Sequence, residues 1–167
     1  MSDPMLRCFA PVTDNNTRLL ILGSLPGGAS LEKAQYYGHP RNQFWRLMSD
    51  IIGEDIETAS YPERLEGLLR HHIGLWDVIG TAKRQGSLDS NIKEVSPNPL
   101  GDLIGKLPNL KALAFNGQKA AQLGIKELQK IDAKLPYYIL PSTSPAHAVA
   151  YDVKKAAWIK LQEIISN

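Results

Sequence analysis

Hydrophobic positions along this chain fall into two alternating kinds of segment. Residues 19–23, 73–79, 110–115 and 137–140 are short apolar runs without strict alternation, the pattern of strands buried on both faces. Between them the apolar residues recur at helical spacing. Residues 42–52 place Trp45, Met48 and Ile52 on one stripe, with Phe44, Leu47 and Ile51 beside it. Pro62 opens a second helix that turns Leu65, Leu68 and Leu69 inward, because proline is tolerated in a first helical turn. Further helices are predicted from Pro99 through Leu100, Leu103 and Ile104, over residues 117–131, and over residues 153–165. Strands alternating with helices predict an α/β fold, a single-domain α/β/α sandwich over residues 1–167 around a central, mainly parallel four-stranded sheet. Ligands of such sheets bind in the crevice beyond the carboxyl ends of the strands. The chemically distinctive residues all follow a predicted strand, which points to one shared site.

Composition narrows the classes without choosing among them. A hydrophobic content of 43% suits an ordinary packed core in a chain of 167 residues, and a monomer is the default expectation at that size. No apolar run is long enough to span a membrane, and the first residues lack the pattern of a secretory signal, so a cytoplasmic protein is expected, nucleoid-associated in a bacterium. The lone Cys8 excludes an intrachain disulfide and any four-cysteine metal or iron–sulfur site; neither metal nor cofactor is expected. A net charge of +2 is too small to argue for nucleic-acid binding by itself.

The chemistry is concentrated between Leu20 and Trp45. The first strand runs into Gly23, Ser24, Leu25, Pro26, Gly27 and Gly28, a turn that lets backbone N–H groups approach a ligand closely. Within a few residues follow Tyr36, Tyr37, Gly38, His39, Pro40, Arg41, Asn42, Gln43, Phe44 and Trp45. These types suit stacking on a base, holding a phosphate and orienting a water. Three later blocks complete the set: Leu75-Trp76-Asp77-Val78 with Gly86-Ser87-Leu88-Asp89, then Ala114-Phe115-Asn116-Gly117, then Pro141-Ser142-Thr143-Ser144-Pro145-Ala146.

Taken in order, these blocks resemble the uracil-DNA glycosylase superfamily, and within it the hypoxanthine-DNA (deoxyinosine) glycosylase branch. Mismatch-specific uracil glycosylases carry a similar His-Pro-x-Asn-x-Phe-Trp segment after a Gly-x-x-Pro-Gly turn. The resemblance runs from about Leu19 to the final helix. It implies a monofunctional hydrolase of base excision repair whose partner is DNA containing deaminated bases, hypoxanthine first and uracil or xanthine after it. Related branches organise the attacking water with an Asp or Asn in the first turn, where this chain has Ser24 and Leu25. The resemblance therefore gives that role to Asn42, which also suits a helix N-cap. It gives Asn116 the reading of the N–H/C=O edge of the base, although Asn-Gly is also a common turn pair. Tyr36, Tyr37 and Phe44 form the stacking wall, with Gly23 to Gly27 completing the base pocket. His39 is either a third catalytic group or a turn residue. Arg41, Ser142, Thr143, Ser144, Pro145 and His147 are assigned to DNA contact. The motif that this last loop resembles begins with His or Asn in most branches, and here position 141 is proline.

Three other readings compete. An esterase would use Ser24 with His39 or His147, but the chain lacks Gly-x-Ser-x-Gly. A nucleotide-cofactor site would need Gly-x-Gly-x-x-Gly or a P-loop lysine, and has neither. A catalytically silent DNA-binding module of the same fold is the remaining rival, since the first turn lacks its acidic or amide group.

Overall fold

Residues 19–23 become a strand because all five are excluded from solvent, and their alternate side chains feed two separate cores. The computed structural model describes residues 3–166. In chain order its elements are β1 (Met5–Arg7), β2 (Leu19–Gly23), α1 (Gly28–Lys33), α2 (Phe44–Ile52), α3 (Tyr61–Arg70), β3 (Ile73–Asp77), β4 (Ile79–Lys83) and β5 (Lys93–Pro97). Then come α4 (Leu100–Gly105), β6 (Ala112–Asn116), α5 (Gln118–Lys130), β7 (Tyr137–Leu140), α6 (Tyr151–Trp158) and α7 (Gln162–Ile165).

Four strands form a parallel sheet in the order β3-β2-β6-β7. Leu19 and Ile21 face one core with Leu47 and Met48 of α2, Leu68 of α3 and Trp158 of α6. Leu20 and Leu22 face the other, with Leu100 of α4 and Ala120, Ala121 and Leu128 of α5. Both faces are thus covered at β2, β3 and β6, as their unalternating apolar runs require, whereas β7, an edge strand expected to be buried on both faces, leaves Tyr137 and Ile139 exposed. The fold class matches the sequence expectation, and β2 and β7 fall at the expected residues.

Several boundaries move, each for a local reason. The apolar run 73–79 is two strands, not one. β3 stops at Asp77, where buried Asn98 donates from its side chain to the Asp77 carbonyl (2.7 Å) and from its backbone to the Val78 carbonyl (2.7 Å). Ile79 then starts β4, the centre of a separate antiparallel sheet ordered β1-β4-β5. That sheet leaves little trace in the sequence, because β5 reads Lys-Glu-Val-Ser-Pro and is mostly exposed. The short α1 was likewise not expected. β6 begins at Ala112 rather than 110, and α2 at Phe44 rather than 42. The last predicted helix starts earlier, at Tyr151, whose hydroxyl bonds Asp50 and whose ring lies 3.7 Å under the Arg46 guanidinium. It then tightens into a 3₁₀ turn at Ile159–Leu161 before α7.

Candidate active site

The carboxyl ends of β2, β3, β6 and β7 open onto one cleft of about 510 Å³, a size typical of small-molecule and nucleotide pockets. Its walls are loops tied to one another by specific bonds. The turn after β2 is held against the segment after β4: Ser24 donates its hydroxyl to Asp89 (2.8 Å), and the Gly28 N–H donates to Ser87 Oγ (2.8 Å). Buried Arg84 clamps the same two segments, donating to the Pro26 carbonyl (2.6 Å) and the Gly86 carbonyl (2.8 Å).

The opposite wall is built on α2. Asn42 accepts the Phe44 N–H at 2.9 Å through its side-chain oxygen, and the Gln43 N–H donates to the Thr143 carbonyl at 3.1 Å. Asn42 is not the N-cap foreseen for it: Gln43 holds that position without a side-chain cap bond, and Asn42, one residue earlier, closes an Asx turn onto the first helical N–H while lining the cleft. Asn116 and Thr143 form a reciprocal clasp: the Asn116 amide donates to Thr143 Oγ1 (3.0 Å) and its oxygen accepts the Thr143 N–H (3.0 Å). From behind, Trp158 donates to the Pro141 carbonyl (2.9 Å) and buried Lys154 to the Ser144 carbonyl (3.2 Å). The loop 141–147 is therefore fixed from both sides. Burial lowers the pKa of Lys154 below the usual lysine value.

Tyr37 and Asp77 meet at the floor, over Gly23. Tyr37 takes a left-handed backbone (φ 53°), an uncommon conformation for a bulky residue, and its ring stacks on Phe44 at 3.9 Å. A Cβ at Gly23 would lie 2.6 Å from Asp77 Oδ1 and 3.2 Å from the Tyr37 hydroxyl, so only glycine leaves room for both. Asp77 is 4% exposed, and burial, reinforced by the Asp89 charge and opposed by Arg84, pushes its carboxyl up to about 7. Burial also raises the Tyr36 and Tyr37 phenols far above their ordinary range.

The structure gathers most of the expected site residues: Gly23, Ser24, Leu25, Pro26, Gly27, Tyr36, Tyr37, His39, Asn42, Asn116, Ser142, Thr143, Ser144, Pro145 and His147 all line this cleft. Two do not. Phe44 is fully buried beneath Tyr37, so it supports the stacking wall rather than forming its surface. Arg41 is exposed, outside the lining, and its N–H donates to His39 Nδ1 (3.0 Å), a bond that fits the turn reading of His39. Tyr36 is fastened by its hydroxyl to the Ala10 carbonyl (2.8 Å) and contributes as a fixed wall. Asp77 and Asp89 also line the cleft, although the sequence pattern marks neither as a site residue. The available signal was a carboxylate ending an apolar strand. Ser24 is bonded to Asp89 rather than to a histidine, which removes the esterase arrangement.

Residues 10–162 match the model of the uracil DNA glycosylase superfamily. The chain belongs to that superfamily. It is 46% identical over 152 residues to a Methanosarcina barkeri protein named hypoxanthine DNA glycosylase, covering 90% of this chain and 93% of that one. A Methanosarcina acetivorans protein of the same name is 39% identical over 154 residues, covering 91% and 94%. A solution NMR structure from Methanosarcina acetivorans, provisionally described as a uracil DNA glycosylase, superposes with a TM-score of 0.87 at 36% identity, covering 98% of this chain and 100% of that one. At the first turn of the cleft Ser24 and Leu25 supply no carboxylate or carboxamide.

A second, shallower depression shares Asp89, Ser90, Ser142 and His147 with the cleft. It continues past Gln118, Lys119 and Gln122 at the start of α5.

Proposed function

We propose that this protein is a monofunctional DNA glycosylase that releases hypoxanthine from deoxyinosine in DNA, with uracil and xanthine as lesser substrates. It would act as a monomer in the cytoplasm, on nucleoid DNA in a bacterium, and feed base excision repair. The observation that carries this reading is the convergence of two carboxamides, Asn42 and Asn116, with Tyr37 on a single cleft at the carboxyl ends of the sheet. The two relatives named hypoxanthine DNA glycosylase, which match nearly the whole chain, support the choice of base.

The reaction follows from these parts. The target nucleotide leaves the stack and its base enters the cleft, where unstacking energy is recovered by contact with the Tyr36 and Tyr37 wall. The C1′–N bond breaks with its electron pair going to the base, leaving an oxocarbenium-like sugar. Water then bonds C1′ through its oxygen, and its proton completes the departing base. Asn42 holds that water through its carboxamide, which orients without acting as a strong base. The Asn116 amide keeps one N–H and one lone pair beyond its clasp with Thr143, a donor and acceptor for the base edge. The loop 142–147 and the depression beside Lys119 suit phosphates of the strand on either side.

Labelled duplexes and single strands containing deoxyinosine, deoxyuridine or deoxyxanthosine, treated with alkali after incubation, test the reading. Alkali-labile sites should appear fastest with deoxyinosine, and borohydride should trap no protein–DNA adduct. Tight binding of abasic DNA without release of any base would favour the silent binding module instead.

A further inference from the structure

The mechanism above leaves unassigned the group that receives the charge of the departing base. We infer that Asp77 fills this role as an uncharged acid, donating its carboxyl proton to the base as the glycosidic bond breaks. The inference rests on the glycosylase reading and deepens it.

Asp77 is placed for this by the sheet itself. It ends β3 in register with Gly23 of β2, so its carboxyl lies over the first residue of the glycine-rich turn. It lines the cleft while being almost wholly excluded from bulk water. Its Oδ2 has no hydrogen-bond partner among the described residues. Buried polar atoms are almost always satisfied, so an unpaired carboxyl oxygen on a residue that lines a cleft marks a place where something else binds. A base carries several acceptors (ring nitrogens and carbonyl oxygens) and gains negative charge as it leaves. A carboxylate there would repel that charge, whereas a carboxylic acid stabilises it.

Its neighbours keep the acid neutral. Asp89, beyond β4, and Arg84, at the end of β4, act on it in opposite directions, with burial the largest influence. Tyr36 and Tyr37 face it from the segment after α1 and Cys8 from the segment after β1; burial holds all three protonated above their ordinary ranges. Asp77 is thus the group among these that titrates near neutrality. In the balanced step the C1′–N electron pair goes to the base and the Asp77 proton follows it. The water oxygen bonds C1′, and the proton the water loses restores Asp77.

The test is the pH dependence of single-turnover hypoxanthine release from a deoxyinosine duplex. Wild-type protein should be fastest below pH 7 and fall about tenfold per pH unit above it, reaching roughly 100-fold below the plateau at pH 9. Asp77→Asn, which can donate a hydrogen bond but not a proton, should lose about 100-fold or more at pH 6 and vary little from pH 6 to 8.5. Asp89→Asn, by removing a neighbouring negative charge, should move the wild-type limb to lower pH. A rate that rises through pH 7 would mean that Asp77 works ionised, and it overturns the inference even if Asp77→Asn does not fold. An Asp77→Asn protein as fast as wild type at pH 6 overturns it as well. Failure of the wild-type protein to release hypoxanthine at any pH would instead refute the glycosylase reading.

Discussion

Replacing Asn116 by alanine removes the clasp that joins the end of β6 to the loop after β7. Thr143 is 1% exposed, and both its N–H and its hydroxyl bond Asn116 at 3.0 Å. With the carboxamide gone, water has little access to either group. Each stranded buried polar group costs about 1–3 kcal/mol, so the pair together should cost about 2–6 kcal/mol. For a chain of this size each kcal/mol lowers the melting temperature by about 2–4 °C, which gives a fall of roughly 4–24 °C. Thermal denaturation followed by circular dichroism measures it. Limited proteolysis should show earlier cleavage in residues 141–149, because the loop would then keep the bonds from Gln43, Trp158 and Lys154 but lose its tie to the end of β6. A melting temperature within about 2 °C of wild type, with unchanged cleavage, would refute the idea that Asn116 organises the site as well as facing it.

Other substitutions separate the remaining claims. Asn116→Asp should keep most of the stability, because the Thr143 hydroxyl can reverse and donate, but base competition assays should show weaker preference for deaminated bases. Asp77 makes stability pH-dependent with a definite sign. Its folded value near 7 lies above the ordinary 3.8, so the folded state holds the extra proton and stability declines as pH rises from about 4 through 7. The full difference is worth roughly 4 kcal/mol as an upper bound. Asp77→Asn should accordingly raise the urea midpoint relative to wild type at pH 8 but not at pH 4; no gain at pH 8 would contradict the burial argument. Arg84→Met should destabilise the turn at Pro26 and push the Asp77 titration still higher, which carbon-13 carboxyl NMR can read. Gly124→Ala would place a Cβ 2.2 Å from the Phe115 ring, so urea denaturation should show a loss of about 1–3 kcal/mol from overpacking α5 against β6.

Much of this was legible because burial and chemistry were written in separate places. Two strands of the parallel sheet, inner β2 and edge β7, were readable from Leu19–Gly23 and Tyr137–Leu140, where the whole run is strand. Site loops were readable because Ser24, Asn116 and Ser142 each lie at or just past a strand end, and the sheet brings such ends together; Asn42 reaches the same cleft from the segment before α2. The antiparallel β1-β4-β5 sheet was not, since its edge strands are short and largely solvated and so carry no apolar period. The split between β3 and β4 depends on Asn98, a residue about twenty positions downstream whose bonds no local pattern announces. Phe44 was misjudged for the same reason: whether an aromatic faces a ligand or lies under another ring depends on the backbone of Tyr37. Asp77 was visible as a type but not as an acid, because only the enclosing walls fix its protonation.

The account rests on the cleft being the place where the glycosidic bond is cut with Asn42 steering the water. Single-turnover release of hypoxanthine by wild-type protein and by Asn42→Ala, with abasic-DNA affinity measured alongside, addresses this directly. Wild-type protein should free the base and leave an intact abasic strand, and Asn42→Ala should be about 100-fold slower or worse with affinity largely kept. Equal rates for the two proteins would contradict it.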